Sequence, residues 1–157
     1  MAAELLFDIQ DIDIANILYG QEELNAYLPQ EGAMRQIDHM AWVSDDLSQC
    51  LAVKHVRDDE FWVSCHIPGR PIMPGVLMIE AAAKNSSVLY RLKTPIVNFL
   101  GFTRCDNAIF RGQIVPGDTL LLLTQEINFS RRRFITNNQA VLNGKLIFEV
   151  QITGMRM

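Results

Sequence analysis

The sequence predicts an α+β fold, because strand-like segments lie on both sides of one long helix and do not alternate with further helices. Between Val76 and Leu92 the chain has no proline or glycine, and residues 76–83 are apolar except for Glu80. A helix that is apolar on most sides is a buried helix, so this segment predicts the centre of the core. Neither repeats nor a linker interrupt the 157 residues, which predicts a single domain over residues 1–157.

The first thirty residues predict a helical cover over the main body. Their apolar side chains recur at helix-like spacing, with breaks near Gly20 and Pro29. The recurring residues are Ile12, Ile14, Ile17, Leu18, Leu24, Tyr27 and Leu28. A partner-binding segment is the alternative, and a structural cover is the favoured interpretation of residues 1–30.

Three segments before the long helix have the composition of strands. They are residues 34–43, 49–56 and 60–66, and the last two are separated by the charged turn Arg57-Asp58-Asp59. We therefore expect residues 49–56 and 60–66 to pair with each other.

The segments after the long helix predict further antiparallel strands. Residues 96–101, 107–113 and 119–129 are rich in β-branched and aromatic residues. Two more strand-like segments flank Asn143-Gly144, which is the strongest short hairpin signal in the chain. These two segments are residues 132–142 and 145–155.

Composition and charge exclude several classes of protein. A net charge of −4 argues against nucleic acid as the main partner. The three cysteines show no C-x-x-C spacing, which suits a reducing cytoplasm, and the histidines outside residues 60–80 show no metal-ligand spacing. Because the N-terminus lacks signal-peptide features and no apolar run approaches membrane-spanning length, we expect a cytoplasmic protein without a membrane span.

The loop before the long helix carries the features of a functional site. Three prolines and two glycines fix an irregular loop over residues 66–75, and His66 lies at its start. Pro74-Gly75 suits a helix start and leaves free N–H groups pointing back into the loop. Glu80 is an acid on a mostly apolar helix, and such an acid is costly to bury unless it has a partner or a task.

Residues 66–81 also resemble the signature of the bacterial 3-hydroxyacyl-[acyl-carrier-protein] dehydratases, His-Phe-Pro-x-x-Pro-x-x-Pro-Gly-Val-Leu-x-x-Glu-Ala. Weaker matches follow in order along the chain, at Leu28-Pro29, Ile37-Asp38, Ala108 to Phe110, Val115 to Asp118 and Ser130 to Arg132. The resemblance implies a hot-dog fold, in which a curved antiparallel sheet wraps the central helix. It also implies homodimers with their sheets side by side, which often assemble as trimers of dimers.

The resemblance further implies the loss of water from a 3-hydroxyacyl thioester, without metal or cofactor. His66 would be the base and Glu80 the acid, each facing the other across the dimer interface. The amides of Gly75 and Val76 would stabilise the enolate oxygen, as backbone N–H groups at a helix N-terminus can. Glutamate at position 80 and valine at position 76 resemble the dehydratase-only branch of the family more than the dehydratase/isomerase branch.

Two residues depart from the family pattern. Cys65 stands where glycine is common, and a small buried hydrophobe is its favoured interpretation. Lys84 stands where glutamine is usual, four residues after Glu80, and its ammonium would favour the ionised carboxylate. Three alternatives stay open: Lys84 points away, or it manages a proton with Glu80, or it weakens the site.

One dense basic run and two rival functions complete the predictions. Arg131, Arg132 and Arg133 form either a solvated turn or a docking surface for an acidic acyl-carrier protein and its phosphopantetheine phosphate. The rival functions are an acyl thioesterase on the same fold and a non-catalytic protein that binds acyl chains or acyl-carrier protein.

Overall fold

Six strands and one long helix form the body of the protein in the computed structural model, which describes residues 4–94 and 99–157. The long helix is α2, Gly75–Lys93, and a single short turn of helix, α1, spans Gln21–Leu24. The strands are β1 (His39–Val43), β2 (Gln49–His55), β3 (Leu100–Phe110), β4 (Thr119–Phe129), β5 (Arg133–Leu142) and β6 (Lys145–Arg156). A 3₁₀ turn, Gly32–Met34, precedes β1.

The strands form one antiparallel sheet in the order β1-β2-β4-β5-β6-β3, and α2 lies against one of its faces. This is the arrangement that a hot-dog fold requires. The hairpin predicted at Asn143-Gly144 joins β5 to β6, and both turn residues have positive φ, 50° and 74°. Positive φ at both central positions is the requirement of a type I′ turn, which Asn-Gly meets at low cost.

The helix α2 is buried along most of its length, and polar contacts fix its orientation on the sheet. The Asn85 amide donates to the Leu122 carbonyl and to Thr124 Oγ1, each at 2.9 Å. The next residue on the helix, Ser86, donates from Oγ to Asn138 Oδ1 at 3.0 Å. Because all of these groups are buried and bonded, they specify one position of the helix rather than a general apolar contact.

Several predicted strand boundaries differ from those in the structure. Residues 60–66 are not a strand: they form consecutive turns, because the Trp62 side chain is buried and the Trp62 carbonyl accepts the backbone N–H of Cys65 and His66. The first strand begins at His39 rather than at residue 34, since the 3₁₀ turn ends at Met34 and residues 35–38 have no regular secondary structure. The segments predicted at 96–101 and 107–113 are covered by the single strand β3 from Leu100, while residues 96–98 lie outside the described part of the chain.

The N-terminal helices that the spacing of apolar residues predicted are wrong, apart from the short α1. Residues 4–20 form turns and extended chain that lie on the outer face of the sheet, away from α2. Leu5, Leu6, Phe7, Ile9 and Ile12 cover an apolar cluster there. That cluster consists of Ala41, Leu51, Val53, Leu123 and Val141. These residues bury their side chains by covering the sheet, which requires no helical period.

The same segment also covers one edge of the sheet. Met40 of β1 donates its backbone N–H to the Tyr19 carbonyl at 2.9 Å, and its own carbonyl accepts the N–H of Leu18 at 2.9 Å. The Asn16 side chain donates to the Ala41 carbonyl at 3.0 Å. The β1 edge is therefore partly paired, whereas β3 at the other edge carries exposed side chains along most of its length.

Close packing against the Phe134 ring requires glycine at position 154. A Cβ at this position would lie 2.3 Å from two ring atoms of Phe134, which is itself buried. We expect Gly154→Ala to lower the free energy of unfolding by about 1–3 kcal/mol, because the ring has no room to withdraw. Urea denaturation measures the change. In a Phe134→Leu background the cost of Gly154→Ala should shrink; an equal cost in both backgrounds contradicts the steric explanation.

Within residues 4–94 and 99–157, no helix is both long enough and apolar enough to cross a bilayer.

Candidate active site

The loop before α2 holds His66 in one orientation. The His66 backbone N–H donates to the Trp62 carbonyl at 2.9 Å, and the ring Nδ1 lies 2.7 Å from the Ile72 carbonyl. A carbonyl can only accept, so this bond places the ring proton on Nδ1 and leaves Nε2 with a free lone pair. The side chain is exposed, so Nε2 is available to a substrate as a base.

The start of α2 presents backbone donors. Pro74 is the N-cap, and among the described hydrogen bonds none is donated by the amides of Gly75 or Val76. These are orphan N–H groups at the positive end of a nineteen-residue helix, where anionic oxygen is favoured. A Cβ on Gly75 would lie 2.9 Å from the ring of Phe110, so the close approach of β3 to the helix start requires glycine here.

Glu80 and Lys84 are in direct contact. The Lys84 ammonium donates to the Glu80 carboxylate, as the spacing of four residues on one helical face predicted. Lys84 is buried and Glu80 is partly exposed. Burial lowers the pKa of Lys84, the nearby carboxylate of Glu80 opposes that shift, and the positive charge of Arg35 adds to it. Of the three alternatives for Lys84, the one in which it points away is therefore wrong.

The structure brings some predicted residues together and separates others. Gly75 and Val76 begin the helix that carries Glu80, about 7.5 Å further along its axis. Within one chain, the described side chains of His66 and Glu80 do not hydrogen-bond each other. Arg131 lies at the opposite end of α2, where the Tyr90 hydroxyl donates to its carbonyl at 2.9 Å.

The arginine run is therefore remote from the helix start in the same chain. Tyr90 lies fifteen residues after Gly75, which corresponds to about 22 Å of helix. Arg131, Arg132 and Arg133 are exposed on the turn between β4 and β5, with the Ser130 hydroxyl accepting the Arg133 N–H at 3.0 Å. They form a surface separate from His66.

Cys65 does not take part in a nucleophilic arrangement. It is exposed rather than buried, which contradicts its interpretation as a buried hydrophobe, and its thiol lies 3.2 Å from the Phe61 carbonyl. In the described part of the chain, no cluster of three or more His, Cys, Asp or Glu side chains could hold a metal ion.

Sequence reasoning missed two residues that shape this region. Phe110 lies against Gly75 and stacks on Phe148 at 5.0 Å between ring centroids. The Glu60 side chain is buried below the loop, and its carboxylate accepts hydrogen bonds from the Lys54 ammonium and the Trp62 indole N–H. The strand-like composition of residues 60–66 gave no sign of this role for Glu60, and no local pattern signals that an acid there is buried.

Comparison with known proteins agrees with this architecture. A loop carrying His66 that leads into a buried helix with Glu80, inside an antiparallel sheet, defines a dehydratase-like hot-dog domain. A family model described as a FabA-like domain matches residues 28–151. The chain therefore belongs to the FabA-like family of 3-hydroxyacyl-[acyl-carrier-protein] dehydratases, and the predicted family is confirmed.

Two curated relatives are 3-hydroxyacyl-[acyl-carrier-protein] dehydratases named FabZ. The protein of Streptococcus pyogenes is 34% identical over 128 residues, which are 79% of this chain and 88% of the relative. The protein of Xanthomonas oryzae is 29% identical over 133 residues, which are 83% of this chain and 87% of the relative.

Two solved structures confirm the hot-dog fold. A chain of the dehydratase heterocomplex ApeI:P from Xenorhabdus doucetiae superposes with a TM-score of 0.72 at 15% identity, covering 85% of this chain and 90% of that one. A hypothetical thioesterase from Streptococcus pneumoniae, solved with coenzyme A, gives a TM-score of 0.58 at 8% identity and covers 76% of this chain and 84% of that one. The fold is thus shared with a thioesterase, and the fold alone does not decide the reaction.

Proposed function

We propose that the protein dehydrates 3-hydroxyacyl thioesters carried by acyl-carrier protein to trans-2-enoyl thioesters, in the synthesis of fatty acids or related lipids. Membership of the dehydratase family supports the reaction class. The observation that carries the proposal is the hydrogen bond from His66 Nδ1 to the Ile72 carbonyl, since it leaves Nε2 as a base on the loop that leads into α2.

In the proposed reaction, His66 Nε2 takes the proton from the carbon next to the thioester carbonyl. The negative charge that develops on the thioester oxygen is stabilised by the amides of Gly75 and Val76. The carbon–carbon double bond then forms as the bond to the 3-hydroxyl breaks, and protonated Glu80 gives its proton to that hydroxyl, which leaves as water. Transfer of the proton from His66 back to Glu80 restores both groups.

The edge strand β3 supports a homodimer in which His66 of one protomer faces Glu80 of the other. Phe102, Ile109 and Phe110 lie on this edge, and each is roughly half exposed. A long edge strand with unpaired backbone groups and exposed apolar side chains is a surface that a second copy can extend. Pairing along β3 places the two sheets side by side, and three such dimers give the proposed trimer of dimers.

The arginine run is the proposed contact for the acyl-carrier protein. Arg131, Arg132 and Arg133 are exposed on one turn, so they can form charge-assisted hydrogen bonds with acidic side chains or with the phosphate of phosphopantetheine. Because the turn is remote from the helix start in its own chain, this role depends on how the protomers are arranged.

Replacing Lys84 by glutamine is expected to raise kcat by about three- to tenfold at neutral pH, with little change in KM. The Lys84 ammonium donates to the Glu80 carboxylate, whereas the proposed reaction needs Glu80 free to donate a proton to the departing hydroxyl. Steady-state formation of the enoyl thioester measures the effect. Lys93→Gln, which breaks a 2.8 Å ion pair with Glu126 at the other end of α2, is the matched control. A large loss of activity in Lys84→Gln contradicts this expectation and makes Lys84 a required proton carrier.

One observation favours a second function, which is binding of acyl-carrier protein or acyl chains without catalysis. The Lys84 ammonium is bonded to the Glu80 carboxylate, so the protein could retain a substrate site in which Glu80 is engaged by Lys84 and does not donate a proton. A thioesterase remains the third possibility, with support only from the fold.

Mass spectrometry of one reaction separates the three functions. The purified protein is incubated with a 3-hydroxyacyl pantetheine thioester and with the corresponding acyl-carrier protein thioester. Loss of water is the expected result. Hydrolysis of the thioester would indicate a thioesterase, and an unchanged but bound ligand would indicate the binding protein.

A further inference from the structure

The carboxylate of Glu60 is buried and fully bonded beneath the loop that carries His66. Its Oε1 accepts the Lys54 ammonium at 2.9 Å and the Arg57 backbone N–H at 3.2 Å. Its Oε2 accepts the indole N–H of Trp62 at 3.0 Å. Only 5% of the Glu60 side chain and 6% of the Lys54 side chain are exposed, so this ion pair is almost fully removed from water.

Trp62 connects this buried ion pair to His66. Its indole is anchored by Glu60, and its own carbonyl accepts the backbone N–H of Cys65 at 3.2 Å and of His66 at 2.9 Å. The Val63 backbone N–H donates to the Glu60 carbonyl at 3.0 Å, which closes the intervening turn. An unbroken series of hydrogen bonds thus runs from Lys54 through Glu60 and Trp62 to the His66 backbone.

On the other side, the loop is fixed at its junction with α2. The Ile72 carbonyl holds the His66 ring, and the next residue, Met73, donates its N–H to the Ile114 carbonyl at 2.9 Å. The His66 side chain is exposed. Its position is therefore set by these two attachments, one through Trp62 and one through Ile72.

A buried ion pair is a poor choice for stability alone, because its desolvation offsets most of the attraction and an apolar pair of similar size often stabilises as much. A buried ion pair does fix the positions of its two side chains, since both charges must remain paired. A general base needs a fixed position relative to the substrate, because a displacement of about 1 Å can cost about a hundredfold in rate.

We propose that Glu60, Lys54 and Trp62 are positioning residues for the base: Glu60, held by Lys54, orients Trp62, and Trp62 orients His66. None of the three needs to touch the substrate. The inference rests on the proposed function, because it assigns these residues to the base of that reaction.

Trp62→Phe is the sharpest test, because it keeps a buried aromatic ring and leaves the Lys54–Glu60 pair intact while removing the indole N–H. We expect kcat to fall about tenfold with KM changed less than twofold. We also expect faster hydrogen exchange of the His66 amide and a shift of its imidazole nitrogen signals toward a mixture of tautomers. Glu60→Gln, which keeps an acceptor for Trp62, should lose less in kcat than Trp62→Phe.

Glu126→Gln is the matched control, since it breaks the ion pair with Lys93 at the far end of α2. It should lower the melting temperature without changing kcat or the His66 signals. If Trp62→Phe also changes only the melting temperature, the three residues are structural and the proposal is overturned. If KM rises while kcat is unchanged, Trp62 contacts the substrate and the proposal is overturned as well.

The nuclear magnetic resonance readout needs no substrate, so it separates this proposal from the proposed function. If the wild type does not dehydrate any thioester, the proposed function fails. In that case an unchanged imidazole spectrum and amide exchange rate in Trp62→Phe overturn the positioning role, and altered ones uphold the orientation of His66 by Trp62.

Discussion

Replacing His66 by asparagine is expected to lower kcat for dehydration by about a thousandfold, within the range that general-base catalysis contributes. The asparagine amide can still donate to the Ile72 carbonyl, as His66 Nδ1 does, so the loop keeps its attachment. It has no basic lone pair in place of Nε2. The loss should therefore fall on kcat, while KM and the melting temperature remain near those of the wild type.

Formation of the enoyl thioester from a 3-hydroxyacyl pantetheine thioester measures this change. Cys65→Ser is the neighbouring control, because the exposed Cys65 thiol bonds the Phe61 carbonyl, as a serine hydroxyl also can, and should be replaceable within twofold in kcat. If His66→Asn retains more than about a tenth of the wild-type rate, His66 is not the base.

Replacing Glu80 by glutamine is expected to lower kcat by about a hundredfold or more, because an amide cannot release a proton to the departing hydroxyl. The same change leaves the buried Lys84 ammonium without its carboxylate, which destabilises the fold. The double variant Glu80→Gln/Lys84→Gln removes both charges. It should recover the melting temperature without recovering kcat, which separates the chemical role of Glu80 from its effect on folding.

Mixing the two inactive variants tests whether each site contains residues from both protomers. After unfolding and refolding of His66→Asn with Glu80→Gln, half of the dimers should be mixed, and each mixed dimer contains one intact pair. Activity should return to about a quarter of the wild-type value per protomer if the pair forms across the interface of a symmetric dimer. No recovery would place the pair within one chain or show that the two residues act separately.

The parts of the fold that the sequence predicted well have strong local signals. The segment without proline or glycine became α2 at nearly the predicted bounds, and Asn143-Gly144 became the β5–β6 turn because few other residues accept positive φ at both positions. The strand β4 has the predicted bounds, Thr119–Phe129. In each case the determining interaction lies within the segment or between neighbouring segments.

The parts that were wrong depend on distant contacts. Residues 60–66 have the composition of a strand, yet the buried Glu60 carboxylate, paired with Lys54, accepts the Trp62 indole N–H and the segment forms turns instead. The apolar residues near the N-terminus satisfy a helical period by coincidence: Ile12 packs against β-strands far along the chain, whereas Ile14 and Ile17 are exposed. Propensity is a weak guide where tertiary burial decides.

Much the same distinction applies to the candidate site. The contact between Lys84 and Glu80 followed from a spacing of four residues on a helix, and the structure has it. The acceptor for the His66 ring could not be predicted, since it is a backbone carbonyl whose direction depends on the path of the loop. Phe110 lies against Gly75 only because β3 passes the start of α2.

The unequal edges of the sheet limit how many copies of the chain can join by extending the sheet. Residues 18 and 19 occupy the hydrogen-bonding groups of β1 at Met40, so that edge is a poor template for another strand. A chain with two open edges can add copies head to tail without end and form a filament. In the proposed dimer, β3 is the more open edge and pairs with an identical strand, so extension of the sheet stops at two copies. By pairing with β1, the N-terminal segment hinders open-ended polymerisation by strand addition at that edge.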